Sequence, residues 1–177
     1  GRDRTGRELR RAADRWLTAD ERTEEVGLLD GVTWEGTVFK DGSWQPGYGD
    51  DYPVVEPATG EELGRMGQAT AQDVAEAARV AGEAQREWAA TPHTTRAAVL
   101  RRAGDLWGVH AEEISRWNVR EVGAVPGMAG FAVHVAAEEC YEAAGLPGRS
   151  IGSLLPSEEP RMSMVRRIDV ALLGSVV

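Results

Sequence analysis

Cysteine occurs once in the 177-residue chain, at Cys140, and lysine once, at Lys40. A lone cysteine excludes an internal disulfide and leaves no thiolate cluster for a structural zinc. No apolar run approaches the ~20 residues of a membrane-spanning helix. No pattern of basic, apolar and small residues resembling a signal peptide opens the chain, so no membrane partner and a cytoplasmic setting are expected. Excess positive charge is also missing. The formal net charge is -9 and the arginines are scattered among acids, a surface that repels phosphate backbones and excludes nucleic acid as a partner. Aromatic residues are scarce at 6%, and with Trp the commonest of them they read as core and boundary anchors. What is present is a globular composition, 42% hydrophobic and 28% charged, which sets aside disorder as the default. The length suffices for one core, since domains commonly run ~100–150 residues. The scarcity of lysine beside abundant Ala and Gly reads as GC-rich coding.

Residues 1–26 alternate acids and arginines, with Leu9, Ala12, Ala13, Trp16 and Leu17 at helical spacing. A short solvated helix is expected there, either an appended arm or the product of a misplaced start. The first methionine, Met66, falls inside an expected strand, so the natural start is expected to lie outside this chain. Residues 37–44 carry the Asp41-Gly42 pair suited to a two-residue hairpin turn. A second hairpin is expected from Val54 to Met66, with Pro57 and Gly60 in its turn. Thr70 caps a helix expected over 71–89, with Asp73 in its first turn and Val74, Ala77, Ala78, Ala81 and Trp88 forming one apolar stripe. Pro92 opens a second helix, expected to run unbroken to about Val122. A third is expected over 127–144, stopped by Gly145-Leu146-Pro147-Gly148. Residues 151–155 and 162–168 read as extended, and Val170 to Val177 as a short apolar strand. There is no internal repeat.

The run Val54-Val55-Glu56-Pro57-Ala58-Thr59-Gly60-Glu61-Glu62-Leu63-Gly64-Arg65-Met66-Gly67, followed by Ala69-Thr70-Ala71-Gln72-Asp73-Val74, resembles the entry segment of the NAD(P)-dependent aldehyde dehydrogenases. Glu56 stands where Asn is commoner in that family. The resemblance continues through residues 84–89 and 96–106 and reaches Arg161-Met162-Ser163-Met164, covering roughly Leu28 to Gly174. Leu28-Leu29-Asp30, Trp34-Glu35-Gly36 and the helix at 133–141 look most like the benzaldehyde dehydrogenase branch. The resemblance implies an α/β fold. In it, 27–177 would be an incomplete N-terminal coenzyme-binding and oligomerisation region of a Rossmann-type enzyme, with two hairpins, three helices and then extended strands near 151–168 that pair with another subunit in a homo-oligomer. It implies NAD or NADP as cofactor and an aldehyde, aromatic by the branch, as substrate. The match weakens at Asp169 and Ala171, where the family usually has Pro and Gly, and at Ser175 in an expected apolar strand. A coding sequence that was truncated, or that continues in another frame, is the expectation. An alternative stays open: a non-catalytic helical interaction or dimerisation module.

Such an enzyme needs a cysteine nucleophile, oxyanion donors and a carboxylate base. The family's motifs for these lie beyond the point matching Val177, so no catalytic, cofactor-binding or metal residue is assigned within this chain. Cys140 sits among Glu138, Glu139 and Glu142, which disfavour a thiolate, and reads as a structural helix residue. His134 precedes it by six residues, which on a helix leaves the two side chains about 120° apart. His93 and His110 read as ordinary surface or boundary residues. The adjacent acids Glu112-Glu113, Glu138-Glu139 and Glu158-Glu159 point in different directions and read as solvated faces. The segment 145–148 follows a helix instead of preceding one, and is a helix stop, not a phosphate-binding turn.

Overall fold

The computed structural model describes residues 27–167. The first hairpin pairs β1 (Thr37–Lys40) with β2 (Ser43–Pro46), Lys40 lying opposite Ser43. Asp41 and Gly42 both take positive φ, 50° and 72°, as the expected two-residue turn requires. Phe39 and Trp44 face each other across the strands, ring edge to ring face, with centroids 5.4 Å apart.

The second hairpin joins β3 (Asp51–Val55) to β4 (Glu62–Gly67). It starts three residues before the expected Val54. The Arg65 guanidinium donates to Asp51 Oδ1 at 2.6 and 2.9 Å, so a stretch that reads as a polar connection is tied into the ladder from across the strands. Gly60, at φ 77°, closes the turn by donating to the Glu56 carbonyl at 2.8 Å.

The helix α1 (Ala71–Ala90) starts at a reciprocal cap. Thr70 Oγ1 accepts from the Asp73 amide at 3.3 Å, while Asp73 Oδ2 accepts from the Thr70 amide at 2.9 Å. The second expected helix departs from its reading at both ends. Pro92 is its cap, not its first residue, because its ψ of 138° is extended, so α2 spans His93–Val109. The helix also does not continue unbroken to Val122. His110, at φ -98° and ψ 15°, separates α2 from α3 (Ala111–Trp117), and Asn118–Val122 then widen into a π turn closed by left-handed Gly123. Apolar spacing persists across the break because both pieces pack on the same neighbour, which is why periodicity conceals it.

That neighbour is α4 (Pro126–Gly145), whose first residue is the proline that a helix start tolerates best. It runs antiparallel to α2: the Tyr141 ring lies on Gly104, and His93 lies over Gly148 in the short 3-10 turn Leu146–Gly148. The apolar side chains buried here are small, namely Ala97, Ala129, Val133 and Ala144. The two extended pieces beyond pair with each other as β5 (Gly152–Leu155) and β6 (Ser163–Arg166), antiparallel. The expected helix within 1–26 and the expected strand at Val170 to Val177 lie outside the described residues. No helix among the described residues is long and apolar enough to cross a membrane.

Candidate functional site

The densest polar cluster among the described residues joins the first hairpin to the start of α1. Asp73, 3% exposed, accepts four hydrogen bonds. Its Oδ2 takes the Thr70 amide and hydroxyl, each at 2.9 Å, and the Tyr48 amide at 3.0 Å. Its Oδ1 takes Lys40 Nζ at 2.9 Å. Lys40 also reaches Glu76 Oε2 at 3.1 Å and lies 4.7 Å from the centre of the Tyr48 ring. The Lys40 ammonium, followed by the Thr70 and Tyr48 amides, holds the Asp73 carboxyl well below the usual carboxylate range. Asp73, then Glu76, raises Lys40 above the ordinary lysine value. A carboxylate so fully engaged is no general base, and an ammonium so held is no nucleophile. The cluster fixes geometry. Sequence reasoning found Asp73 through its cap but missed Lys40, which acts from 33 residues away.

The considered catalytic candidates are scattered. Cys140 is a free thiol on α4, half-buried. His134 is exposed on the same helix, while His93 stands exposed at the start of α2. His110 differs from its reading as a surface or boundary residue: it is 9% exposed in the kink between α2 and α3, 4.0 Å from Glu113. The acid pairs are engaged separately. Glu112 holds Arg116 at 3.5 Å, Glu113 accepts the Leu28 amide, and Glu159 pairs with Arg161 at 3.4 Å. No group of three or more metal-ligating side chains assembles among the described residues.

A groove of about 450 Å³ lies between α2–α3 and α4, lined by Trp107, Ala111, Ser115, Gly130, Val133 and His134 among others. Ser115 and His134 share no hydrogen bond with each other or with Glu112, so the groove holds no activated nucleophile. A dinucleotide needs a parallel strand edge followed by a helix N-terminus to seat its pyrophosphate. The three sheets among the described residues are two-stranded antiparallel hairpins, which do not fit that requirement.

A third feature ties hairpin to helix. Arg120, in the π turn, donates to Glu56 Oε2 at 3.3 Å and lies 3.7 Å from Glu61, clamping both ends of the β3–β4 turn. Glu56, which stands where the family that the sequence resembles more commonly has Asn, is thus half of an ion pair.

Comparison with known proteins converges on one family. The aldehyde dehydrogenase family model matches residues 44–177. The chain is 55% identical over 151 residues to a vanillin dehydrogenase of Amycolatopsis sp., covering 85% of this chain and 31% of that protein. It is 38% identical over 144 residues to an NAD(+) benzaldehyde dehydrogenase of Pseudomonas putida, covering 81% and 29%. In structure it is similar to an NAD-dependent benzaldehyde dehydrogenase from Corynebacterium glutamicum, with a TM-score of 0.67 and 33% identity over 71% of this chain and 28% of that one. The chain spans less than a third of the length of each of these relatives. On the family match and the shared sequence, the chain belongs to the aldehyde dehydrogenase family.

Proposed function

We propose that residues 27–177 are the N-terminal part of an NAD(P)-dependent dehydrogenase that oxidises an aromatic aldehyde to the carboxylic acid, water supplying the added oxygen and the hydride passing to the nicotinamide. The observation that carries this is the 55% identity to a vanillin dehydrogenase over 85% of the chain. The chain's own part is architectural: hairpins and helices that brace the coenzyme domain, and the β5–β6 hairpin for subunit pairing. Leu154, Met162 and Met164 project from that hairpin region 68%, 77% and 67% exposed, which supports a homo-oligomer that covers them. A cytoplasmic setting belongs to the same reading and is supported by the single thiol, which needs no oxidising compartment.

A chimera tests it. This chain is joined to the portion of the Amycolatopsis vanillin dehydrogenase that follows the matched region, and reduced cofactor is followed at 340 nm with vanillin, benzaldehyde and an aliphatic aldehyde, each with NAD and with NADP. Turnover that favours the aromatic aldehydes is expected. A folded, oligomeric chimera without turnover, or with a preference for the aliphatic substrate, overturns the reading.

A further inference from the structure

The widened turn Asn118–Val122 has no cause within itself. A π turn is rare, and a local distortion of a helix ordinarily traces to a Pro, a Gly or an intruding group. Neither Gly nor Pro lies among these five residues. The Gly123 amide reaches the Val119 carbonyl at 3.1 Å, and the Ala124 amide stretches to the Asn118 carbonyl at 3.5 Å.

Among the described residues, Arg120 is the one side chain of this turn bonded to another element. Its Nε and Nη2 donate to Glu56 Oε2 at 3.4 and 3.3 Å, and Nη2 lies 3.7 Å from Glu61. The Glu56 side chain is only 16% exposed, so its carboxylate loses more than a surface acid would if Arg120 left. Both acids stand on a fixed mount. The Glu56 amide donates to the Glu61 carbonyl at 2.9 Å, and the Gly60 amide to the Glu56 carbonyl at 2.8 Å. The same hairpin turn meets the far end of the widened turn, where a Cβ on Gly123 would lie 3.6 Å from the Pro57 ring. Two residues further, the Val125 carbonyl accepts the Met128 and Ala129 amides at 2.9 and 3.0 Å and begins α4.

We propose that Arg120, with Glu56 and Glu61, is an ionic latch that imposes the widened turn and couples the β3–β4 turn to the start of α4, so that opening the pair loosens both together. The latch does not depend on the proposed enzymatic function.

Amide hydrogen exchange of the full chain at one concentration tests it, in Arg120→Met, Glu56→Gln and the double variant. The latch predicts that Glu56→Gln speeds exchange at Gly123, Ala124 and Met128 by about threefold or more, although it lies 64 residues from Arg120. Arg120→Met should do the same at Gly60, and the double variant should be no faster than the faster single one. Raising NaCl from about 20 to about 500 mM should loosen these amides in the parent and leave both single variants unchanged. Glu121→Gln, which alters an acid of the same turn outside the pair, should have no effect. Changes confined to the element that carries the substitution, or single effects that add in the double variant, overturn the latch. If a substitution also speeds the β1–β2 amides, it has disturbed the fold, and the parent's salt response decides: its absence overturns the latch.

Discussion

Gly82 and Gly104 both lie inside helices, yet alanine at the two should move stability in opposite directions. At Gly82 an added Cβ meets nothing within 4 Å, so Gly82→Ala gains only the helix preference, about 0.5–1 kcal/mol. At Gly104 it would lie 2.8 Å from Tyr141 Cζ, and that ring is fixed by its hydroxyl, which donates to Asp105 at 2.8 Å. Overpacking should cost about 1–3 kcal/mol, outweighing the helix gain. Urea midpoints of the two variants decide it, and equal shifts would show that the ring moves aside freely. Asp73 gives a pH prediction. Its pKa is depressed below the ordinary 3.8, so its contribution is complete above that value and is lost as pH falls below it. Lys40 is raised above 10.5, so its contribution is complete below 10.5 and is lost only at still higher pH. Asp73→Asn should therefore lower thermal stability at pH 7 and flatten the acid limb below pH 4; an unchanged limb would mean that other carboxylates govern it. Thr70 and Asp73 were legible from their three-residue spacing. The Lys40 partner was not, because no local pattern connects a hairpin end to a helix start.

At the scale of elements, what the sequence displayed best was whatever is decided locally. Asp41-Gly42 set the first turn, and the helix expected over 127–144, stopped at 145–148, matches α4 to within one residue at each end. The kink at His110 was hidden, since the residues on both sides keep their apolar face toward α4. The early start of β3 was hidden too, because the Asp51–Arg65 pair that sustains it spans 14 residues. The β5–β6 hairpin carries a prediction of its own. Leu154 and Met164 lie directly opposite each other and are exposed, so they are the groups a second subunit would bury. Glutamate at both places two like charges across one rung, which disfavours pairing between chains and repels within the hairpin. Size-exclusion elution should shift to a smaller species; an unchanged profile would place the association surface elsewhere.

For the whole molecule, the buried apolar set decides the expected behaviour. Ala97, Ala129, Val133 and Ala144 are small, and no large side chain among the described residues is fully buried. Burial on that scale leaves little beyond the ordering entropy of the chain. The 177-residue chain should therefore associate, bind a hydrophobic dye and unfold without a sharp transition, and a monodisperse monomer with a cooperative melt would contradict this. It should also leave aldehyde and NAD or NADP unchanged, with Cys140→Ser indistinguishable from the parent at 340 nm. Turnover abolished by that substitution would instead make Cys140 a nucleophile. That no catalytic residue is assigned within this chain is an expectation from the sequence resemblance, and the 340 nm assay is what tests it. Which surfaces stay uncovered was not readable, since a stripe at helical spacing looks the same whether or not a neighbour covers it.

Lys40 has a further consequence, for the protein's dealings with electrophiles. It is the chain's one lysine, its side chain is 10% exposed, and its nitrogen is bonded to two carboxylates. Aldehydes condense only with neutral amines, so the folded chain exposes almost nothing for imine formation apart from its terminal amine. A succinimidyl ester at neutral pH should accordingly label the native chain once, at that terminus, and reach Lys40 only after denaturation, giving a single-site attachment point without any engineering.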